Sequence, residues 1–283
     1  LPNSHVSRTA PEAQQESFWS APGGTLGELV DLAAARVELL LPRRRELERE
    51  AGERPAGRAF ADALRDRSVS IIAEIKRRSP SKGDVNTTLV AGDRAAAYVR
   101  GGAAAISVLT EPSRFGGSVD DLLEVVNSAP VPVLRKDFIV HEVQILESRA
   151  TGASAVLLIA RALAPGSLIA LVRAARTHGI EPLVEVRDRD ELARAVDCGA
   201  DVIGVNARNL ETLIIDEELP HELLGHVPRE LIAVAESGIR DRAAVEALAR
   251  AGADAVLVGS ALSVAQEPEQ AVSDLAGVAR VRR

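Results

Sequence analysis

The sequence predicts a (β/α)8 barrel, a TIM barrel, with an N-terminal helical extension. Three observations carry this. One helix-to-strand unit recurs along the chain, eight strand-like runs alternate with eight helical patterns, and the strand ends bear charges that an aliphatic barrel interior would not hold.

The recurring unit stands at GGAAAISVL from Gly101, TGASAVLLI from Thr151, CGADVIGV from Cys198 and AGADAVLVG from Ala251. In each, a glycine closes a helix, a short turn follows and an apolar run begins, the pattern of a helix feeding a buried parallel strand. Four further apolar runs lie between these units, at Val69–Ile75, Val131–Leu134, Pro182–Val186 and Leu231–Ala235. Helical patterns follow in turn at Leu89–Arg100, Val119–Val126, Val140–Arg149, Pro165–Thr177, Arg189–Val196, Arg242–Ala251 and Pro268–Ala279, with a weak one around Glu217–Leu224. Units of roughly 20 to 35 residues within a total of about 200 to 250 suit a closed barrel. An open doubly wound sheet is the alternative, disfavoured because no glycine-rich fingerprint follows the first strand.

Residues 67–283 are therefore assigned to the barrel and residues 23–66 to the extension. In the latter, Leu26, Leu29, Val30, Ala33, Val37, Leu40 and Leu41 recur at helical spacing behind Thr25, a candidate cap. This apolar stripe must cover either a barrel end or a partner. Residues 1–22, polar with scattered Pro and Gly, read as a flexible tail.

The 46% hydrophobic content supports a large core, and the net charge of −7 argues against nucleic acid or an anionic membrane as partner. No apolar run approaches the roughly 18 residues of a membrane span, and the N-terminus lacks the apolar region of a secretory signal. Cys198, the single cysteine, excludes a disulfide framework and reads as a small buried residue at a helix end, so a cytoplasmic protein is expected. None of the five histidines has metal-ligand spacing, and no metal site is expected.

The stretch IIAEIKRRSPSKGD, from Ile71 to Asp84, starts as a buried strand and ends in Glu74, Lys76, Arg77, Arg78, Ser79 and Lys82. The other odd-numbered strands end likewise, in LRKD (Lys136), LVEV (Glu185) and AESG (Glu236). Side chains alternate along a strand, so all five of Glu74, Lys76, Lys136, Glu185 and Glu236 take inward positions. Isolated buried charges cost several kcal/mol each, so the two signs must converge. They form either a structural ion-pair network or an acid–base site for an anionic substrate; strand-end placement favours the second. Asn206 and Arg208 follow strand six, Ser237 and Gly238 strand seven, and Gly259 and Ser260 strand eight, where small residues let backbone N–H groups approach a phosphate. Phe115 and Phe138, just past strands two and three in a chain poor in aromatics, suggest a pocket for a flat ring.

With these residues placed, the chain resembles the indole-3-glycerol phosphate synthase family from Leu26 to the C-terminus, through IIAEIKRRSPSKG, SVLTEPSRFGGS, PVLRKDFIV, LVEV, IGVNARNLETL, AESGI and ADAVLVGSAL in that order. The resemblance implies conversion of 1-(2-carboxyphenylamino)-1-deoxyribulose 5-phosphate to indole-3-glycerol phosphate, releasing CO2 and water without a cofactor. It implies that Lys136 is the general acid of ring closure and Glu185 the base of dehydration, with Lys76 assisting as an acid. Glu74 and Glu236 would orient these groups, and Asn206 would hydrogen-bond near them. Arg208 would face the aromatic carboxylate, and Phe115, Phe138 and Leu210 would line the ring pocket. Ser79 would belong to a closing loop, while Ser237, Gly238, Gly259 and Ser260 would hold the phosphate. Gly259-Ser260 stands where many members have Gly-Glu, and Ala207 varies the strand-six loop. With no second barrel after Arg283, a fused isomerase domain is not expected. An aldose–ketose isomerase barrel, which would use an Asp or Cys pair at these strand ends, and a non-catalytic phosphate-binding barrel remain as alternatives.

Overall fold

The computed structural model describes residues 22–81 and 83–283; the expectation for residues 1–22, Pro22 apart, and residue Lys82 lie outside the described residues. Eight parallel strands close into one barrel: β1 (Ser70–Ile75), β2 (Ala105–Leu109), β3 (Val133–Lys136), β4 (Ala155–Ile159), β5 (Glu181–Val186), β6 (Val202–Asn206), β7 (Ile232–Glu236) and β8 (Ala255–Val258). β8 returns to β1 with Ile72 opposite Leu257, so the barrel itself has no open edge.

The extension supplies α1 (Gly24–Leu40), α2 (Arg44–Glu53) and the short α3 (Phe60–Ala63). Around the barrel follow α4 (Ala91–Arg100), α5 (Pro112–Phe115), α6 (Val119–Ser128), α7 (Glu142–Thr151), α8 (Pro165–Thr177), α9 (Arg189–Asp197), α10 (Leu219–Leu223), α11 (Arg242–Ala251), α12 (Ser260–Ser263) and α13 (Pro268–Leu275). The last helix stops four residues before the expected end, because residues 278–280 pair with the segment leading into β1: Val69 donates to the Val278 carbonyl at 2.8 Å and Arg280 to that of Arg67 at 3.0 Å.

The stripe on α1 faces the barrel, with Leu26, Leu29, Val30, Ala33 and Val37 buried. Two details differ from expectation. The helix starts one residue before Thr25, whose N–H instead donates to the Glu211 carbonyl at 3.1 Å, and Leu41 leaves the stripe for a 3-10 turn, where it is exposed. α3 closes the opposite pole: Phe60 and Leu64 are fully buried, and the Glu181 carboxylate accepts the N–H groups of Phe60 (2.7 Å) and Ala61 (2.8 Å). The extension thus reaches both barrel ends. Cys198 is buried at the end of α9, where its thiol donates to the Ala195 carbonyl.

Register decides where the barrel turns polar. Glu74 lies opposite Ser107, Leu109 opposite Lys136, Ile159 opposite Glu185 and Asn206 opposite Glu236. Directly paired residues share a face, so these side chains enter the lumen near its C-terminal rim. Two residues earlier on the same faces stand Ile72, Leu134, Leu183 and Val234, all buried, which make the aliphatic floor.

Candidate active site

Five charged side chains from four strands meet at this rim. Lys136 Nζ lies 2.5 Å from Glu236 Oε2 and 3.8 Å from Glu74 Oε2, while Lys76 Nζ lies 3.0 Å from Glu74 Oε1 and donates to Ser260 Oγ at 3.1 Å. Glu74 therefore bridges the two lysines. Glu185 is buried, lines the same cavity as Asn206, and has no cationic partner within ion-pair distance among the described residues. Three carboxylates face two ammonium groups, and Glu185 is the one left uncompensated.

The protonation states follow. Burial works against the Lys136 ammonium, yet the charges of Glu236, Glu74 and Glu185 outweigh it and raise its pKa above the ordinary lysine value. Burial likewise favours a neutral Glu74, but Lys76 and Lys136 together hold its carboxyl below the usual range. Burial, reinforced by the negative charge of Glu236, pushes Glu185 up to about 8. Burial lowers Arg208 from the usual arginine value, opposed by Glu74.

Two glycines make room for this cluster. A Cβ at Gly204 would collide with Glu236 Oε1 and lie 2.7 Å from Leu183 Cδ2; one at Gly259 would collide with Glu74 Oε1 and lie 2.9 Å from Lys76 Nζ. Glu236 Oε1 itself is buried with no hydrogen-bond partner among the described residues.

Two cavities share Glu74, Lys76, Lys136, Arg208 and Ser237 in their walls. One, of about 380 Å³, runs outward between Lys76, Ser237, Gly238, Gly259 and Ser260. Ser237 and Gly238 adopt consecutive left-handed conformations (φ 67° and 78°), a strained geometry for serine of the kind found at functional sites. The other, about 90 Å³ and more apolar, is walled by Leu29, Phe115, Leu157, Leu210 and Leu213. Phe138 stands behind Phe115, ring centroids 6.3 Å apart, instead of forming the wall itself. Arg208 spans the inner cavity's roof: it donates to the Leu213 carbonyl at 2.9 Å and to Ser81 Oγ at 3.3 Å, joining the strand-six loop to the loop after β1. Ser79, buried in that first loop, lies 3.5 Å from Ser81 Oγ through its own hydroxyl, and the loop is pinned by an Arg78–Asp84 ion pair at 2.8 Å.

The structure also brings in residues that sequence reading passed over. Leu29 comes from α1, and Arg240, ion-paired to Glu217 at 2.7 Å, flanks the outer cavity. Asn209 folds the strand-six loop by accepting the N–H groups of Glu211 (2.8 Å) and Thr212 (3.1 Å). The signal for Asn209 was present, since Asn at the head of a polar loop favours such a turn. Nothing local marks Leu29 or Arg240. Among the described residues, no cluster of three His, Cys, Asp or Glu side chains is placed to hold a metal ion, and no helix is long and apolar enough to cross a membrane.

Closed barrel, mixed-sign rim and paired cavities define a (β/α)8-barrel enzyme whose charged rim lies at the C-terminal ends of the strands, the end where such barrels place their sites. Solved structures agree on the fold: 3-hexulose-6-phosphate synthase from Salmonella typhimurium superposes with a TM-score of 0.59 at 19% identity, covering 73% of this chain and 96% of that one. Thiamine phosphate pyrophosphorylase from Pyrococcus furiosus gives 0.55 at 17%, covering 75% and 95%. At the level of sequence, the family model for indole-3-glycerol phosphate synthase matches residues 27–275. Indole-3-glycerol phosphate synthase 1 of Streptomyces coelicolor is 49% identical over 249 residues, covering 88% of this chain and 91% of its own, and the indole-3-glycerol phosphate synthase of Parafrankia sp. is 46% identical, covering 88% and 92%. The chain belongs to the indole-3-glycerol phosphate synthase family.

Proposed function

We infer that this chain carries out the reaction its family is named for, converting 1-(2-carboxyphenylamino)-1-deoxyribulose 5-phosphate to indole-3-glycerol phosphate with loss of CO2 and water. The observation that carries the residue assignment is the half-buried Lys136 ammonium, held between Glu236 and Glu74 in the wall that the two cavities share.

In this reading the ring carbon bearing the carboxylate attacks the chain ketone. Negative charge grows on the ketone oxygen, and Lys136, kept protonated by its carboxylates, donates the proton there. Loss of CO2 returns its bonding pair to the ring. The new hydroxyl then leaves as water with help from Lys76, while Glu185 takes a proton from the adjacent carbon to complete the indole. Glu185 performs this step in its ionised form, so the free enzyme gains competence as pH rises through about 8. Glu74 and Glu236 hold the lysines in place, and Asn206 orients Glu185.

Binding groups divide by cavity. Ser237, Gly238, Gly259 and Ser260, with Lys76, receive the phosphate in the outer one. Phe115, Leu210 and, behind them, Phe138 hold the ring in the inner one, with Arg208 on its carboxylate. Ser79 travels with the loop that closes over the substrate and excludes water. Two anchored ends hold a flexible chain near attack geometry. Residues 67–283 then form the catalytic barrel and residues 23–66 an extension serving it. A cytoplasmic location fits the single buried thiol, Cys198.

Incubating the purified chain with the substrate and following indole fluorescence tests the assignment. Product formation is expected. Absence of product, or aldose–ketose isomerisation in its place, would overturn it.

A further inference from the structure

We propose that Arg36, on the extension helix α1, is a positioning residue for the reaction: acting through Asp137, it fixes the end of β3 that carries Lys136. The inference rests on the assignment of Lys136 as the acid of ring closure.

Asp137 lies between Lys136 and Phe138, and alternation turns its side chain away from the lumen. There it is fully buried and saturated with donors. Oδ1 accepts from Arg36 Nη2 (2.7 Å) and the Phe138 N–H (2.8 Å); Oδ2 accepts from Arg36 Nη1 (3.1 Å), Thr110 Oγ1 (2.7 Å) and Arg135 Nη2 (3.1 Å). Thr110 in turn donates its N–H to the Lys136 carbonyl at 3.1 Å. The backbone on both sides of Asp137 is thus tied to its own carboxylate.

Charge balance makes Arg36 necessary. Arg135, also buried, is shared between Asp137 and Glu147, the latter at 2.7 Å, so one guanidinium faces two carboxylates. Arg36 supplies the second cation through a two-pronged fork that fixes direction as well as charge. Without it the pocket behind Lys136 retains a surplus negative charge, which drives water entry or rearrangement of the strand end.

Helix α1 is well placed for this task. Leu29, seven residues before Arg36 and on the same face, walls the inner cavity, and the Thr25 N–H holds the strand-six loop at Glu211. One rigid helix therefore links the Arg208 loop to the Lys136 strand. Displacing a reacting group by about 1 Å costs on the order of 100-fold in rate.

The test compares Arg36→Ala and Arg36→Lys with the wild-type chain in the fluorescence assay, well below each variant's unfolding midpoint. For R36A, kcat is expected to fall about 10- to 100-fold with KM changed by less than about threefold, and added guanidinium is expected to restore part of the lost kcat. For R36K an intermediate kcat is expected, since an ammonium replaces charge without the fork. A wild-type kcat in R36A overturns the proposal, as does a loss that only follows the folded fraction and ignores guanidinium. Should R36A fail to fold, R36K decides: a wild-type kcat overturns the proposal, and a reduced one in a fully folded protein supports it. If the wild-type chain itself makes no indole product, the functional assignment fails, and a crystal structure of R36K judges the anchor separately: a displaced Lys136 ammonium supports it and an unmoved one refutes it.

Discussion

Replacing Glu185 by Gln removes a buried carboxyl whose ionisation burial and Glu236 together oppose. The substitution keeps the shape and a side-chain carbonyl. In the unfolded chain this carboxyl ionises near 4.5; in the folded protein it does so near 8. Below the lower value both states hold the proton and the group contributes no pH dependence. Between the two values the folded state keeps a proton that the unfolded state has released, so wild-type stability falls as pH rises, and above about 8 the full cost is present. At about 1.4 kcal/mol per pH unit, that span sets a ceiling of about 5 kcal/mol, which relaxation and water entry reduce to about 2–4 kcal/mol. E185Q, having no such group, should gain on the wild type by that amount between acidic and mildly basic pH while losing turnover. Urea unfolding of both proteins at pH 5, 6.5 and 8.5 measures it. A stability difference that stays flat across those conditions would show that the Glu185 carboxyl carries no such cost.

Three further outcomes are expected. The pH profile of kcat should rise toward mildly basic pH as Glu185 ionises; a kcat flat from pH 6 to 9 would remove it as the base. Arg208→Ala should raise KM about 10- to 100-fold, the loss of a charge-assisted contact to the carboxylate, and steady-state kinetics showing an unchanged KM would count against that clamp. Gly204→Ala should destabilise the fold by about 1–3 kcal/mol and depress activity, because its methyl meets Glu236 Oε1 and Leu183; thermal unfolding at wild-type temperature would show that the space is not needed.

The repeat and the strand ends made the barrel and its rim legible from sequence. AEIK, LRKD, LVEV and AESG each break an aliphatic run at its last turn of alternation, a local signal that topology converts into a cluster. What stayed hidden depends on segments remote in sequence. Asp137 reads as one more polar residue after a strand until Arg36, 101 positions earlier, is seen to grip it. Gly204 reads as an ordinary small residue in a strand until Glu236 from the neighbouring strand is found filling its space. Thr25 matched the local rule for a helix cap, yet the helix start carries no side-chain cap bond, and the Thr25 N–H goes to the strand-six loop. Tertiary contacts overrode local propensity there, as they do where elements dock.

In this mechanism the Lys136 ammonium delivers the proton on which ring closure depends. Single-turnover measurement on Lys136→Ala, its fold verified by circular dichroism, tests this most directly. Substrate is expected to bind but to be consumed at least about 1,000-fold more slowly than by the wild type. Consumption at the wild-type rate by a folded K136A protein would contradict it.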